Sequence, residues 1–447
     1  MLEKMFYPES VAVIGASADP RKLGHTVLKN IVDGGFKGRI YPINPKGGEI
    51  LGLKAYQSIL DVPDEVDLAV IIVPSKFVPG VMEDLGKKGV KAAIIITGGF
   101  REAGNEELEE QVLEIARKYG IRVVGPNCQG INNTHHQLCA SWPLITLKGK
   151  IAIASQSGTV AAALADWSQD DGLGFSTFVS LGNKSDVDEV DIIEFFSEDE
   201  NTAVIALYVE GVRDGRRFME AAKKCRKPVV VLKPGVTERG AKAVETHTKS
   251  MAGRDAVFDA ACRQSGVVRA ENLEELYDFA KAFAYLRPFK GERVLIVTSS
   301  GGSGILAIDV LERNGLRVFE ADEELKARLK EIVPPHGILD NPIDLTGDAT
   351  AEMYLNVVKA AFDYADAFLL IFGDPIEGAA DTVIEAVRMA DEADKTVVVA
   401  FLGGAEVEKE EVAKMHRHGI PVFPTPERAA KVLAALKRWS GRSERLN

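Results

Sequence analysis

The sequence predicts an α/β protein made of three doubly wound parallel-sheet domains. Three observations lead there. One unit occurs three times: an apolar strand, a Gly/Ser turn, then a helix opened by small residues. It reads SVAVIGASADP at 10–20, GKIAIASQSGTVAAALADW at 149–167 and GERVLIVTSSGGSGILAIDVLERNG at 291–315. Short, continuous apolar runs bounded by glycine follow each unit, as strands buried on both faces of a parallel sheet do. The length, 447 residues, is that of about three domains at roughly 150 residues each.

In the first domain the later strands are GRIYPIN, VDLAVIIVP, KAAIIITGG and IRVVGPN. In the second they are GFSTFVSLGN, TAVIALYVEG and KPVVVLKPG, and in the third ADAFLLIFGDP, KTVVVAFLGG and GIPVFPT. Helical patterns separate most of them, such as NEELEEQVLEIARKYG, with glutamates in its early turns and a closing glycine. The expected domains are residues 1–132, 145–286 and 290–447, with junctions at 132–148 and 286–292. Segment 236–251 is polar, carries Gly240 and contains no strand pattern, so it reads as a long functional loop.

Composition narrows the function classes. The chain is 46% hydrophobic and 27% charged, an ordinary globular balance. Cys128, Cys139, Cys225 and Cys262 have no C-x-x-C pairing and no zinc-ligand spacing. They read as reduced thiols of a cytoplasmic protein, with no metal site expected. The N-terminal MLEKMFYPES lacks the basic-then-apolar pattern of a signal peptide. No apolar run reaches the roughly 18 residues that a membrane span needs. The net charge of −12 argues against nucleic acid as a partner, while leaving room for a local basic pocket.

The first turn places Gly15 between a strand and a helix, where backbone N–H groups face a phosphate. A nicotinamide site would show G-x-G-x-x-G and an acid after the second strand. Here the turn is Gly15-Ala16-Ser17-Ala18-Asp19-Pro20, Gly24 comes late, and the second strand ends in Asn44-Pro45-Lys46. A cation where NAD wants an acid suits a ligand with an additional phosphate, such as CoA or NADP. Lys46, Val73-Pro74 and Thr97-Gly98-Gly99 all follow strands, so they line one crevice at the C-terminal ends of the sheet. The plainer reading is a glycine turn that only packs helix on strand.

The second turn is Ser155-Gln156-Ser157-Gly158-Thr159. Free N–H groups, the helix dipole and three hydroxyls would favour a phosphate, although a Ser/Thr cap without ligand is common. His247 lies in GAKAVETHTKSMAGRDAVFDAA near Arg239, Lys242 and Lys249. A histidine in a basic segment is ordinarily just exposed. As a nucleophile accepting a phosphoryl group it needs neutral imidazole and an acceptor for its other ring N–H. Glu210, closing the strand TAVIALYVEG, is the candidate acceptor, and the SQSGT turn the candidate anion site. The other histidines have weaker cases: His135 and His136 in the 132–148 connection, His416 and His418 at a helix end, His25 early in the first helix, His336 in a Pro-rich loop.

These residues resemble the alpha subunit of ADP-forming acyl-CoA synthetases, relatives of succinyl-CoA synthetase. VAVIGAS, YPINPK, GFREAG and GPNCQGINN resemble that family's Rossmann-like CoA-binding domain. SQSGT, SLGNKSDVDEVD, YVEG and LKPG with TERGAKA resemble its second, flavodoxin-like domain, and TSSGGSG, NPIDLTGDA and GIPVFPTPERAAKVL the third, also flavodoxin-like. The family's phosphohistidine motif reads like SHTG, a small residue, then LAG. This chain has Thr246-His247-Thr248-Lys249-Ser250-Met251-Ala252-Gly253, with Lys249 for the usual glycine and Met251 for the usual leucine. Ser299-Ser300 and Ser303 depart from the commoner Asn-Ala and Pro.

The resemblance implies a reaction: acyl-CoA + ADP + phosphate ⇌ carboxylate + ATP + CoA, through an acyl phosphate and a phosphohistidine. It implies that His247 carries the phosphoryl group, Glu210 steadies it, and Ser155, Gln156, Ser157, Gly158 and Thr159 surround it. Gly15, Ser17, Lys22, Lys46, Val73, Pro74 and Thr97 would contact CoA, with Asn127 of GPNCQG lining the thioester crevice. No ATP-grasp domain is recognisable, so ADP/ATP and Mg²⁺ are expected on a separate ATP-grasp beta subunit in an α₂β₂ heterotetramer. The substrate would be a small carboxylic acid. Three rivals are a regulator or acyltransferase built on these domains, a non-catalytic CoA-binding module, and an NADP oxidoreductase. The first lacks an acyltransferase module here, the second is disfavoured by the presence of His247, and the third by the missing fingerprint.

Overall fold

Each of the three repeated units starts a strand that becomes the pivot of its own parallel sheet. The first sheet contains β1 (Ser10–Ile14), β2 (Arg39–Ile43), β5 (Leu68–Ile71), β6 (Ala92–Ile95) and β7 (Arg122–Val124), ordered β2-β1-β5-β6-β7. A small hairpin of β3 (Gly48–Ile50) and β4 (Leu53–Ala55) stands beside it. The second sheet contains β8 (Gly130–Asn133), β9 (Leu138–Ser141), β10 (Lys148–Ser155), β11 (Phe175–Ser180), β12 (Val204–Tyr208), β13 (Val229–Leu232) and β14 (Val268–Ala270). Its order is β14-β13-β12-β10-β11-β8-β9. The third contains β15 (Arg293–Thr298), β16 (Arg317–Val318), β17 (Ile343–Asp344), β18 (Ala367–Phe372), β19 (Thr396–Phe401) and β20 (Val422–Phe423). Its order is β16-β15-β18-β19-β20, with β17 also on β15. This computed structural model describes the backbone of residues 2–248 and 253–446 and the side chains of 2–244 and 253–441.

In all three sheets the pivot strand has neighbours on both sides, so the chain winds outward in both directions from it. A crevice opens at the C-terminal end of such a switch point. Gly15, Ser155 and Ser299 stand at those ends because they end or follow the pivot strands. The apolar runs are apolar for the expected reason. Every residue of β1, β5, β6, β11, β13, β18 and β19 is buried. Each fully buried Val, Ile or Leu side chain contributes about 1.5–3 kcal/mol.

Two segments differ from the sequence reading. The connection at 132–148 is not bare. β8 and β9 form an antiparallel hairpin whose β8 adds antiparallel to β11, Thr177 opposite Asn133. At its turn His135 Nε2 meets the Gly149 carbonyl at 2.9 Å and His136 Nε2 the Pro8 carbonyl at 2.7 Å, so both histidines hold the hairpin in place. The 236–251 segment, expected as a loop, is helical over Glu238–Thr248. Alanine, lysine, arginine and glutamate in ERGAKAVE favour that state. Thr237 Oγ1 accepts from the Gly240 N–H at 3.1 Å, closing the first turn. Gly240 fits closely there, since a Cβ would stand 3.2 Å from Gly235 Cα.

By packing, the chain divides into two units. One is Met1–Asp170 with Gly174–Glu271, holding the first two sheets around a shared apolar core from Met5 to Val267. The other is Asp171–Leu173 with Asn272–Asn447. In the latter, helix Leu273–Tyr285 packs on helix Pro426–Leu446, and Arg428 grips Asp278 through Nε at 2.7 Å and Nη2 at 2.9 Å. Among the described residues no helix is long and apolar enough to cross a membrane.

Candidate active site

The first crevice forms around Gly15. Two features call for glycine there: its φ is +94°, and a Cβ would stand 3.1 Å from Val73 Cγ1. The Gly15 N–H bonds the Ile43 carbonyl at 3.0 Å and Asn44 Nδ2 donates to the Ala16 carbonyl at 2.7 Å, tying the turn to the end of β2. Gly24, late for a dinucleotide fingerprint, serves close packing: a Cβ there would fall 2.0 Å from the Gly15 carbonyl oxygen. Ser17 is buried and its Oγ accepts from the Asp19 N–H at 3.1 Å, while His25 Nδ1 lies 3.0 Å from the Ser17 carbonyl. Lys22, Lys46 and Pro74 are exposed. The Lys46 N–H donates to Asn44 Oδ1 at 2.9 Å, so its side chain leaves from an ordered Asx turn.

Val73, Thr97 and Asn127 close the other side. Thr97 Oγ1 donates to the Val73 carbonyl at 2.7 Å, and the Asn127 N–H to the Thr97 carbonyl at 2.9 Å. Asn127 is exposed at φ +57°, after the cis Gly125–Pro126 bond. Cys128, beside it, is no nucleophile: burial pushes its thiol up to about 12, and Sγ donates to the Ile95 carbonyl.

The second crevice lies at the end of β10. Helix Gly158–Asp170 begins in the SQSGT turn. The Ser155 hydroxyl is fully buried and engaged within the turn, donating to the Ser157 carbonyl at 2.6 Å and accepting from the Ser157 N–H at 3.1 Å. It shapes the turn and leaves Ser157, Gly158 and the exposed Thr159 at the helix start. Gln156 reaches sideways. Its Oε1 accepts from the Glu210 N–H at 2.7 Å, which couples the turn to the end of the neighbouring strand β12. Glu210 is buried, and burial together with the Glu210 charge raises the pKa of Tyr208.

Beneath Gln156 lies Lys184, 3% exposed, at φ +55°. Its Nζ donates to Glu189 Oε2 and to the Gly211 carbonyl, both at 2.6 Å, and approaches Gln156 Oε1 at 3.4 Å. One buried cation thus braces the SQSGT turn and the strand end that carries Glu210.

A polar cluster joins the loops of the first two domains. Asn183 Nδ2 donates to Glu102 Oε2 at 2.6 Å and to Glu109 Oε2 at 3.0 Å. Ser185 Oγ donates to Glu109 Oε1, which Arg101 also grips. Burial would raise the Glu102 carboxyl. The bonds from Asn183 and the Gly99 and Phe100 N–H groups outweigh it and hold the group below its usual range. Helix Glu238–Thr248 packs against the short turn Arg101–Ala103 of this cluster. The backbone of His247 belongs to that helix, while its side chain lies outside the described residues.

Sequence reasoning missed Gln129, Lys184, Asn183 and Glu109. Gln129 is 9% exposed, its Oε1 has no hydrogen-bond partner, and its side chain fills the space a Gly158 Cβ would need. Lys184 and Asn183 sit in GNKSD, which carries a family resemblance and no chemical signature of its own. A lysine and an asparagine in a loop show no pattern that separates them from surface residues.

Known proteins share this sequence and fold. Residues 9–134 match a CoA binding domain, 148–283 a succinyl-CoA ligase like flavodoxin domain, and 294–447 a ligase-CoA domain. The acetate–CoA ligase [ADP-forming] I subunit alpha of Pyrococcus furiosus is 46% identical, over 98% of each chain. An acetate–CoA ligase [ADP-forming] of Methanocaldococcus jannaschii is 42% identical over 98% of this chain, which spans 63% of that longer protein. Among solved structures, the dinucleotide forming acetyl-coenzyme A synthetase 1 of Ca. Korarchaeum cryptofilum, in complex with phosphate and ADP, superposes with a TM-score of 0.94 at 41% identity. That match covers 100% of this chain and 98% of the other.

Proposed function

The chain belongs to the family of ADP-forming acyl-CoA ligases, and from that premise we propose that it is the CoA-binding subunit that carries the phosphoryl group on His247. CoA lies in the first crevice, its phosphates on the Gly15–Ser17 turn and near Lys22 and Lys46, its thioester reaching Val73, Pro74, Thr97 and Asn127. A phosphate oxygen attacks the thioester carbonyl and the CoA thiolate leaves, giving an acyl phosphate. The His247 ring nitrogen attacks phosphorus, the acyl-oxygen bond to phosphorus breaks, and the carboxylate departs. Ser157, Gly158 and Thr159 hold the phosphoryl oxygens at the helix N-terminus, where backbone N–H groups and the dipole favour negative charge. Glu210 accepts from the other imidazole N–H and fixes the tautomer.

The observation that supports this most is the 2.7 Å bond from the Glu210 N–H to Gln156 Oε1, which holds the carboxylate beside the anion turn. ADP then takes the phosphoryl group on an ATP-grasp beta subunit with Mg²⁺, in an α₂β₂ assembly. The extra length of the Methanocaldococcus jannaschii relative supports a separate second part. The setting is the cytoplasm and the substrate a small carboxylic acid.

Acyl-CoA with labelled phosphate should place an acid-labile, base-stable label on this chain, and His247→Ala should abolish it. ADP-dependent turnover should need the partner. Label on the His247→Ala chain would refute the carrier assignment, and turnover by this chain alone would refute the two-subunit reading.

A further inference from the structure

Gln129 is a primary amide held out of water with its carbonyl oxygen unsatisfied. It sits 9% exposed and Oε1 has no hydrogen-bond partner. Leaving such a group unpaired costs about 1–3 kcal/mol. Its main chain is well fixed: the N–H donates to Ser180 Oγ at 2.9 Å and the carbonyl accepts from the Trp142 N–H at 3.2 Å. The side chain is thereby pressed against Gly158, the first residue of the 13-residue helix Gly158–Asp170. A Cβ on Gly158 would lie 2.4 Å from Gln129 Cδ and 2.6 Å from Nε2. An amide with an unused acceptor therefore adjoins a helix N-terminus, where the free backbone groups are donors.

That combination selects a ligand. A carboxylate, a thioester carbonyl or a fully ionised phosphoryl group offers acceptors only and would leave Oε1 unsatisfied. Inorganic phosphate near neutral pH carries at least one P–OH besides its ionised oxygens, so it both donates and accepts. We propose that Gln129 is a binding residue for inorganic phosphate, Oε1 accepting from the P–OH and Nε2 donating to a neighbouring phosphate oxygen. The inference rests on the reading that the Gly158 helix start is the anion site of the ligase reaction. It adds what that reading does not contain: a side chain that distinguishes free protonated phosphate from the phosphoryl group once transferred. The amide also turns the nucleophile, because fixing the P–OH on one side directs an ionised oxygen away from it.

The test uses the chain with its partner subunit and compares Gln129→Met, which keeps the shape, with Gln129→Glu, which keeps the shape but repels anions. Losing a hydrogen bond to a charged ligand predicts an approximately 10- to 100-fold rise in KM for phosphate in Gln129→Met, and a larger rise in Gln129→Glu. KM for acyl-CoA should stay within about twofold. Labelling of Gln129→Met from ATP, which involves no free phosphate, should proceed at the wild-type extent. An unchanged phosphate KM in Gln129→Met overturns the proposal. So does an equal loss of ATP labelling, which would give Gln129 a structural role. If the wild-type chain takes no label from either acyl-CoA with phosphate or ATP, the ligase reading itself fails, and this is distinct from both outcomes.

Discussion

Lys184 and Glu189 form an ion pair with almost no access to water: Nζ to Oε2 is 2.6 Å, and the side chains are 3% and 0% exposed. Breaking such a pair by removing one partner costs about 3–5 kcal/mol, because the other charge stays buried alone. Burial already raises the Glu189 carboxyl, and Lys184 works against that rise. Lys184→Met should therefore lower unfolding stability in urea by about 3–5 kcal/mol. Lys184→Met with Glu189→Leu should recover most of it, since neither charge then remains. If the double variant is as unstable as the single one, the pair is not the source. The same cation holds the Gly211 carbonyl, so the double variant should still lose phosphohistidine formation while folding normally.

Gly24 offers a sharp steric test. A Cβ at this position would lie 2.0 Å from the Gly15 carbonyl oxygen and 3.0 Å from its carbon, both backbone atoms that cannot rotate away. Gly24→Ala must push helix Leu23–Asp33 off the turn, at a cost of about 1–3 kcal/mol, and weaken CoA binding with it. Gly80 is the control. It is also helical, a methyl group added to it would meet nothing within 4 Å, and it should gain about 0.5–1 kcal/mol on replacement by alanine. Equal stability changes in the two variants, by calorimetry, would contradict the packing role.

What the sequence made legible follows from period and punctuation. Continuous apolar runs ended by glycine place the pivot strands β1, β10 and β15, and with them the three switch points, because burial on both faces demands that pattern. The hairpin of β8 and β9 was hidden because its polar members, Asn132, Asn133 and Ser141, are buried and satisfied by one another and by backbone. The helix Glu238–Thr248 was hidden because it is polar, and a polar stretch without apolar period reads as loop. In the site, Gly15 and the SQSGT turn carry local signals. Lys184, Asn183 and Glu109 act through partners distant in sequence, such as Asn183 on Glu102 and Glu109, and no local pattern encodes such contacts. Ser155 differs from expectation for a similar reason: a hydroxyl in the sequence looks available, and only the structure shows it closed onto Ser157.

His416 makes the second unit sensitive to acid. It is 7% exposed and its Nε2 accepts the Val422 N–H at 3.2 Å, so the ring is held neutral at that atom. Burial pushes its pKa below the ordinary value of 6.5; Lys281 pushes the same way and Asp171 opposes. With a depressed native pKa, the unfolded state binds the proton first as pH falls. The contribution is whole above about pH 6.5 and is lost progressively below it, with a slope of up to about 1.4 kcal/mol per pH unit. His416→Gln keeps an acceptor and removes the titration. Stability measured from about pH 8 to about pH 5 should fall more steeply in the wild type than in the variant, and parallel curves would rule the linkage out.

Under the proposed function, Lys46 should separate ligands that differ by one phosphate. It is exposed and leaves an Asx turn at the end of β2, where its N–H is held at 2.9 Å by Asn44 Oδ1. Under the proposed function the ammonium faces an additional phosphate, while the pyrophosphate lies on the Gly15 turn. An exposed charge pair of this kind contributes about 1 kcal/mol at low salt and less as ions screen it. Lys46→Ala should therefore weaken CoA binding about 3- to 10-fold in low salt by titration calorimetry. Dephospho-CoA, which lacks the 3′-phosphate, should bind the wild type and Lys46→Ala alike. Raising the salt should shrink the difference for CoA and leave dephospho-CoA unmoved. A loss of equal size for both ligands would place Lys46 on the pyrophosphate and reverse the orientation of CoA in the crevice.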